Sequence, residues 1–326
     1  MMSPLVRHPE IKTSIFHGMV TTAPEMHTLF EQVRRAGRSD ATILVRGESG
    51  TGKELVAQAL HNESPRSGKA FHAVNCATFT SEMLASELFG HVRGAFTGAV
   101  RDRKGLLARA HHGTLFLDEI AELPRELQAR LLRVLQMRRF TPVGGTAAIE
   151  VDVRFVSATN AALRKLVADG LFREDLMYRL RVVVLYLPRL ADRTGDLEAL
   201  TWHFIDQLNA RGQRQVEAIE PAAWEAVRAY PWPGNIRELR NNIEQLFVLG
   251  EGPVLGLGEL APEVRGEGIL PVAAQSTTPP LTLSDLQRQA LVAAFVATGG
   301  NRQEMAARLG ISRATLYRRL KKQGLS

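Results

Sequence analysis

The chain has 326 residues, 45% of them hydrophobic and 23% charged, with 27 Gly and 15 Pro. At roughly 150 residues per domain this points to about two globular domains and excludes a collagen repeat, a coiled-coil rod and a disordered tail protein. The formal charge of +7 is uneven: residues 301–326 hold seven of the 41 basic side chains and one of the 34 acidic ones, leaving 34 and 33 in the other 300 residues.

A near-neutral body with a compact basic end suits a polyanion partner, although a solvated charged helix has the same composition. No run approaches about 18 consecutive apolar residues, so no membrane span is expected. Cys76 is the only cysteine, which rules out an internal disulfide and makes a reducing cytoplasm the natural compartment. Residues 1–17 mix Arg7, His8, Lys12 and His17 with scattered apolar residues and no apolar leader; 1–14 read as a short extension.

From about residue 41 to 190, apolar runs alternate with amphipathic stretches. Ile43-Leu44-Val45 ends at a Gly-rich turn, after which Leu55, Val56, Ala59 and Leu60 recur at helical spacing. Further runs are Ala70 to Val74 and Thr114 to Leu117, the latter ending in Asp118. In 125–139, Leu127, Leu131, Val134 and Leu135 form one helical face, and strand-like runs follow at Val151 to Ser157 and Val182 to Leu187. This alternation predicts an α/β unit over 15–190, a parallel sheet sandwiched by helices. Beyond Pro188 the pattern reads as helices only, near 196–211, 220–229 and 235–249, which makes 191–250 a smaller helical unit. Residues 251–280 are rich in Gly, Pro, Ser and Thr and read as a linker, and 281–326 as a further all-α domain.

Gly47-Glu48-Ser49-Gly50-Thr51-Gly52-Lys53-Glu54 follows a strand and opens a helix. The glycines let backbone N–H groups turn inward as an anion nest, and Lys53 adds a mobile charge for β- and γ-phosphates. The last position is Glu54 rather than the Ser or Thr that usually ligates magnesium. Asp118-Glu119 ends an apolar strand where parallel sheets bind ligands. One acid there can hold magnesium through water and the next can deprotonate an attacking water; the same pair also suits a helix N-cap. His111-His112 are adjacent and on a regular element would point apart at the surface.

Residues 301–320 read as helix, turn at Gly310, and helix, with Ser312 a good N-cap for the second. In such a helix-turn-helix, Ser312, Arg313, Thr315, Tyr317 and Arg318 can enter a major groove, while Arg319, Lys321 and Lys322 suit phosphates.

These motifs resemble those of the AAA+ ATPases that activate sigma-54 RNA polymerase, the bacterial enhancer-binding proteins, over about 15–250 and 281–325. The most specific is Gly94-Ala95-Phe96-Thr97-Gly98-Ala99, preceded by Glu87-Leu88-Phe89-Gly90-His91. The resemblance implies ATP and Mg2+ as cofactors, with Gly47 to Glu54 and Arg237 on the nucleotide, Asp118 on the metal and Glu119 in catalysis. It makes Asn75 a switch that restrains the catalytic glutamate, Asn160 a γ-phosphate sensor, and Arg173 and Arg179 candidate fingers reaching a neighbour's nucleotide. On the residues alone, Asn75 equally caps a turn, and Asp175–Arg179 equally forms an i, i+4 ion pair.

The loop 94–99, through Phe96 and Thr97, would touch sigma-54 in the RNA polymerase holoenzyme. Residues 191–250 would be the lid, the ring a hexamer, and the last domain a Fis-type dimer on upstream enhancer DNA. Some 15–20 residues before the first helix, expected over about 23–37, are too few for a sensor fold. Control would then come from a separate inhibitor protein acting in trans or from expression level. The intact loop argues against a regulator that lost remodelling, and the basic end against a remodeller that never meets DNA.

Overall fold

The computed structural model describes residues 5–267, apart from 10 and 213, together with Met305. The chain divides into two units, Met1–Gly268 and Ile269–Ser326; the elements below belong to the first. It opens with β1 (Val6–Arg7), the hairpin β2 (Ser14–Phe16) and β3 (Met19–Thr21), α1 (Pro24–Gly37), β4 (Ile43–Arg46), α2 (Lys53–Asn62), β5 (Phe71–Asn75) and α3 (Ser81–Phe89). Next come β6 (Gly90–His91), β7 (Arg103–Lys104), α4 (Leu106–Arg109), β8 (Thr114–Asp118), α5 (Arg125–Met137), β9 (Arg139–Phe140) and β10 (Ile149–Glu150). The α/β part ends with β11 (Arg154–Thr159), α6 (Leu163–Ala168), α7 (Glu174–Leu180) and β12 (Val183–Tyr186). The remainder is α8 (Asp196–Asn209), β13 (Ala218–Ile219), α9 (Pro221–Ala229), α10 (Asn235–Leu249) and β14 (Val254–Leu255).

The expected sandwich is present. Five parallel strands pair in the order β12-β4-β11-β8-β5. Their side chains alternate between faces. Ile43, Val45, Phe116 and Val156 pack with Val33, Val56 and Leu60 of α1 and α2, while Leu44, Leu115, Leu117 and Phe155 pack with Leu88, Leu131 and Leu176 of α3, α5 and α7. Both faces are covered, which is why these runs read as continuously apolar. The start of β11 differs from the expected run at 151. Val151 N–H bonds Arg138 O at 2.8 Å and Asp152 N–H bonds His111 Nδ1 at 3.1 Å, which diverts the chain until Arg154. Arg154, 1% exposed, donates to Leu60 O at 3.0 Å and Ala36 O at 2.9 Å, tying together carbonyls near the ends of α1 and α2. His111 and His112 are exposed, but their rings lie 3.8 Å apart instead of pointing away, because His112 adopts φ +63° in a turn.

The smaller unit has its own core, which includes Trp202, Trp224, Trp232, Leu239 and Ile243. It is not purely helical: β1, β13 and β14 form a small sheet, so the N-terminal extension supplies an edge strand to it. The expected linker also differs over 251–267, since Leu255, Leu260 and Val264 are buried in this same core. Composition missed this because three apolar anchors among Gly and Pro do not alter a polar average.

Candidate functional site

The phosphate loop joins β4 to α2. Gly50 and Gly52 take φ +77° and +103°, the left-handed region that glycine enters freely. A Cβ on Gly50 would overlap the carbonyl oxygen of Gly234, so the loop and the start of α10 touch backbone to backbone. At Gly52 no atom lies within 4 Å of such a Cβ, so the cradle is open there. Within the turn Thr51 Oγ1 donates to Glu48 O at 2.8 Å. Lys53, 7% exposed, donates Nζ to Gly47 O at 3.0 Å, Glu48 O at 3.4 Å and Glu119 Oε1 at 3.1 Å.

Asp118 ends β8 opposite Asn75 in register. Burial, then the neighbouring Glu119 carboxylate, raises its pKa above the usual carboxylate value. Its Oδ1 accepts from Glu119 N–H at 3.0 Å and its Oδ2 from Asn75 Nδ2 at 3.4 Å. Asn75 therefore bonds Asp118 here, and Glu119 is held instead by Lys53. Glu119 sits at φ +47°, ψ +51°, a strained conformation for a side-chain-bearing residue and of the kind that gathers at functional sites. Asn160 donates its backbone N–H to Glu119 Oε2 at 3.5 Å. Glu54 also raises the Asp118 pKa, which makes this a three-carboxylate neighbourhood.

The cleft has a volume of about 630 Å³ and is lined by Ser49 to Leu55, Asn75, Asp118, Glu119 and Arg237, but not by Gly47, Glu48 or Asn160. Arg237 Nη1 donates to Ser49 Oγ at 3.2 Å and its N–H to Gly50 O at 3.3 Å. Sequence reasoning missed other lining residues, Gly18 to Val20, together with Arg193, His203, Phe204, Ile236 and Arg240. No local pattern marks these residues. Arg193 is 4% exposed, and burial lowers its pKa to about 10, which leaves it cationic at neutral pH. Asn235, at φ +52°, donates to Glu48 Oε2 at 3.2 Å and Ser49 O at 3.1 Å and accepts from Leu190 N–H at 2.9 Å.

Neither Arg173 nor Arg179 lines this cleft. Arg173 occupies the N-cap position of α7, pairs with Asp175 at 2.7 Å and is half-buried; Arg179 reaches Leu135 O at 3.4 Å. The ion pair of Asp175 thus forms with Arg173 and not with Arg179. The buried side chain of Gln128 accepts from Arg173 N–H at 2.8 Å and so anchors the start of α7.

The loop carrying Gly94 to Ala99 projects between β6 and β7. Gly94 N–H bonds Ala99 O at 2.8 Å, and Ala99 N–H bonds Phe96 O at 3.0 Å, which tightens its tip. Phe96 is 39% exposed, with its ring edge-on to His91 at 4.9 Å. His91 Nδ1 in turn pairs with Ser86 Oγ at 2.8 Å. Thr97 and Gly98 are exposed, and Ala95 abuts Gly144 of the β9–β10 hairpin.

A model of the sigma-54 interaction domain matches residues 19–186, more than half of the chain. The chain belongs to the sigma-54-dependent transcriptional activators. A model of the AAA+ ATPase lid domain matches 191–276 and one of the bacterial regulatory proteins of the Fis family matches 282–322. The activator is 42% identical to the regulatory protein AtoC of Escherichia coli K12 over 98% of this chain and 70% of that protein. It is also 42% identical to the transcriptional regulatory protein ZraR of Salmonella typhi, over 93% of this chain and 68% of that one. The crystal structure of NtrX from Brucella abortus in complex with ATP is similar at a TM-score of 0.69 and 37% identity, covering 94% of this chain and 69% of that chain.

This activator therefore couples an AAA+, nucleotide-binding, sigma-54-interacting domain to a DNA-binding helix-turn-helix. Ser312, Arg313, Thr315, Tyr317, Arg318, Arg319, Lys321 and Lys322 lie outside the described residues. Among the described residues no helix is long and apolar enough to cross a membrane, and no group of three or more His, Cys, Asp or Glu can hold a metal by itself.

Proposed function

We propose that the activator hydrolyses ATP in a hexameric ring and uses the loop 94–99 to convert the closed sigma-54 polymerase–promoter complex into an open one, while its last domain holds upstream enhancer DNA. The observation that carries this is the joining of the phosphate loop, the Asp118–Glu119 pair and the lid residue Arg237 in one cleft, on the domain that displays Phe96. The N–H groups of the loop and the dipole of α2 would hold the phosphates. Lys53 would leave Glu119 for the β- and γ-phosphates. The freed Glu119 carboxylate would accept a proton from water as the water oxygen attacks the γ-phosphorus and the bond to the ADP oxygen breaks. Asp118 suits magnesium, which when bound neutralises charge on the phosphate oxygens. Asn75 would act as the switch that restrains Glu119 until nucleotide is sensed, and Asn160 would sense the γ-phosphate.

Arg173 and Arg179 lie off their own cleft, which suits fingers that act on a neighbour. Such fingers add roughly 10³–10⁵ in rate and make hydrolysis depend on assembly. Phe96 and Thr97 would then meet sigma-54 as the loop leaves its rest against His91. The test is transcription from a supercoiled sigma-54 promoter with ATP. Thr97→Ala should keep hydrolysis and lose open complexes, and equal transcription by variant and wild type would reject the reading.

A further inference from the structure

Arg193, just before α8, and Asp196, its first residue, bond two segments of the chain that both contribute to the lining of the cleft. Arg193 donates Nη2 to Thr51 O of the phosphate loop at 2.9 Å, and Nε and Nη2 to Pro188 O at 3.1 and 2.9 Å. Three residues on, Asp196 opens α8 at 0% exposure. Its Oδ1 accepts from Thr22 N–H at 2.6 Å, Ala23 N–H at 3.1 Å, Thr22 Oγ1 at 3.2 Å and Thr21 Oγ1 at 2.8 Å. Its Oδ2 takes the Thr21 hydroxyl at 2.7 Å. Strand β3, which Asp196 grips, supplies Met19 and Val20 to the lining of the cleft. Met19 is packed in the α/β core and Val20 in the lid core, so β3 spans both. Gly195 takes φ +82° with Thr22 Oγ1 2.6 Å from where its Cβ would stand, an approach only glycine allows.

A buried carboxylate with four donors, and a buried guanidinium whose acceptors are all backbone carbonyls, are far more than a helix start needs. We propose that Arg193 and Asp196 are positioning residues of the nucleotide site: they fix its phosphate loop and strand β3, which also lines it, to the segment that opens α8. The inference rests on the nucleotide reading above. Neither side chain needs to touch a reacting atom. Together they set the separation of these two segments, and a nucleotide that spans them pulls on α8 through Arg193 and Asp196. Charge-assisted hydrogen bonds between buried partners are strong enough to transmit that pull.

The experiment measures ATP turnover by the full chain for wild type, Thr21→Val, Arg193→Lys, Asp196→Ala and Asp196→Asn, with the thermal midpoint of each. Thr21→Val keeps the shape of the side chain and removes one donor. Arg193→Lys keeps the charge and loses the fork that reaches both carbonyls. Each should raise KM for ATP about tenfold with kcat within about twofold, as expected when binding held equally in ground and transition states is lost. Asp196→Ala should raise KM further. Asp196→Asn should raise KM less than Asp196→Ala, because its amide oxygen can still accept at the Oδ1 position while the charge is lost. Unchanged KM in Thr21→Val and Arg193→Lys, with or without a lower midpoint, would overturn the inference and leave the nucleotide reading standing. A wild type that neither binds nor cleaves ATP would overturn both.

Discussion

Replacing Gln128 by Met removes three hydrogen bonds at nearly constant volume. Gln128 is 0% exposed; its Nε2 donates to Leu123 O at 2.8 Å and Leu171 O at 3.1 Å, and its Oε1 accepts from Arg173 N–H at 2.8 Å. The thioether offers no donor to the two carbonyls and only a weak acceptor to the amide. At about 1 kcal/mol for each neutral bond, and with partners left unsatisfied in partly buried surroundings, the loss should be about 3 kcal/mol. For a unit of this size that corresponds to a fall in thermal midpoint of about 10 °C. Calorimetry and urea unfolding read the effect, with Gln58→Met as control. Gln58 bonds only Asn62, one turn along α2 at 3.0 Å, and should change stability by less than about 0.5 kcal/mol. Because Arg173 opens α7, the variant should also lose ATPase activity at subunit concentrations where wild type is saturated. A loss below about 1 kcal/mol would refute the idea that this one side chain pins the start of α7.

Glu119→Gln should bind ATP and lower turnover by about 10²–10⁴, the usual contribution of a positioned general base, as read by single-turnover hydrolysis. Gly50→Ala and Gly18→Ala impose similar backbone strain, at φ +77° and +82°, but only the first meets the Gly234 carbonyl; it should be less stable by about 2 kcal/mol in a direct unfolding comparison. Cys76 is buried, and burial followed by the charges of Asp118 and Glu119 pushes its thiol up to about 12. Deprotonation is thus suppressed in the folded state between pH 9 and 12, where an exposed thiol ionises. Alkylation by iodoacetamide at pH 8 should be at least about 10²-fold slower in the native protein than in urea.

The glycine turn and the acid pair were readable as candidates because each is local. A glycine turn after an apolar run, and two acids at the end of another, occupy a few consecutive residues, and a parallel sheet places both turns at the carboxyl edge of its strands. The same holds for α2, α5 and the amphipathic helices of the lid, whose periodicity comes from facing a single core. What remained hidden depends on partners distant along the chain. Arg154 is an ordinary strand-end cation until the ends of α1 and α2 converge on it. Asp196 reads as a helix-start acid, and its donors lie some 175 positions away. The pairing of Glu119 with Lys53, and of Asn75 with Asp118, follows from where β5, β8 and the phosphate loop meet. Local sequence determined which chemistry the chain carries. Packing decided which buried charge faces which donor, because a polar side chain removed from water takes whichever partners the assembled elements bring within reach.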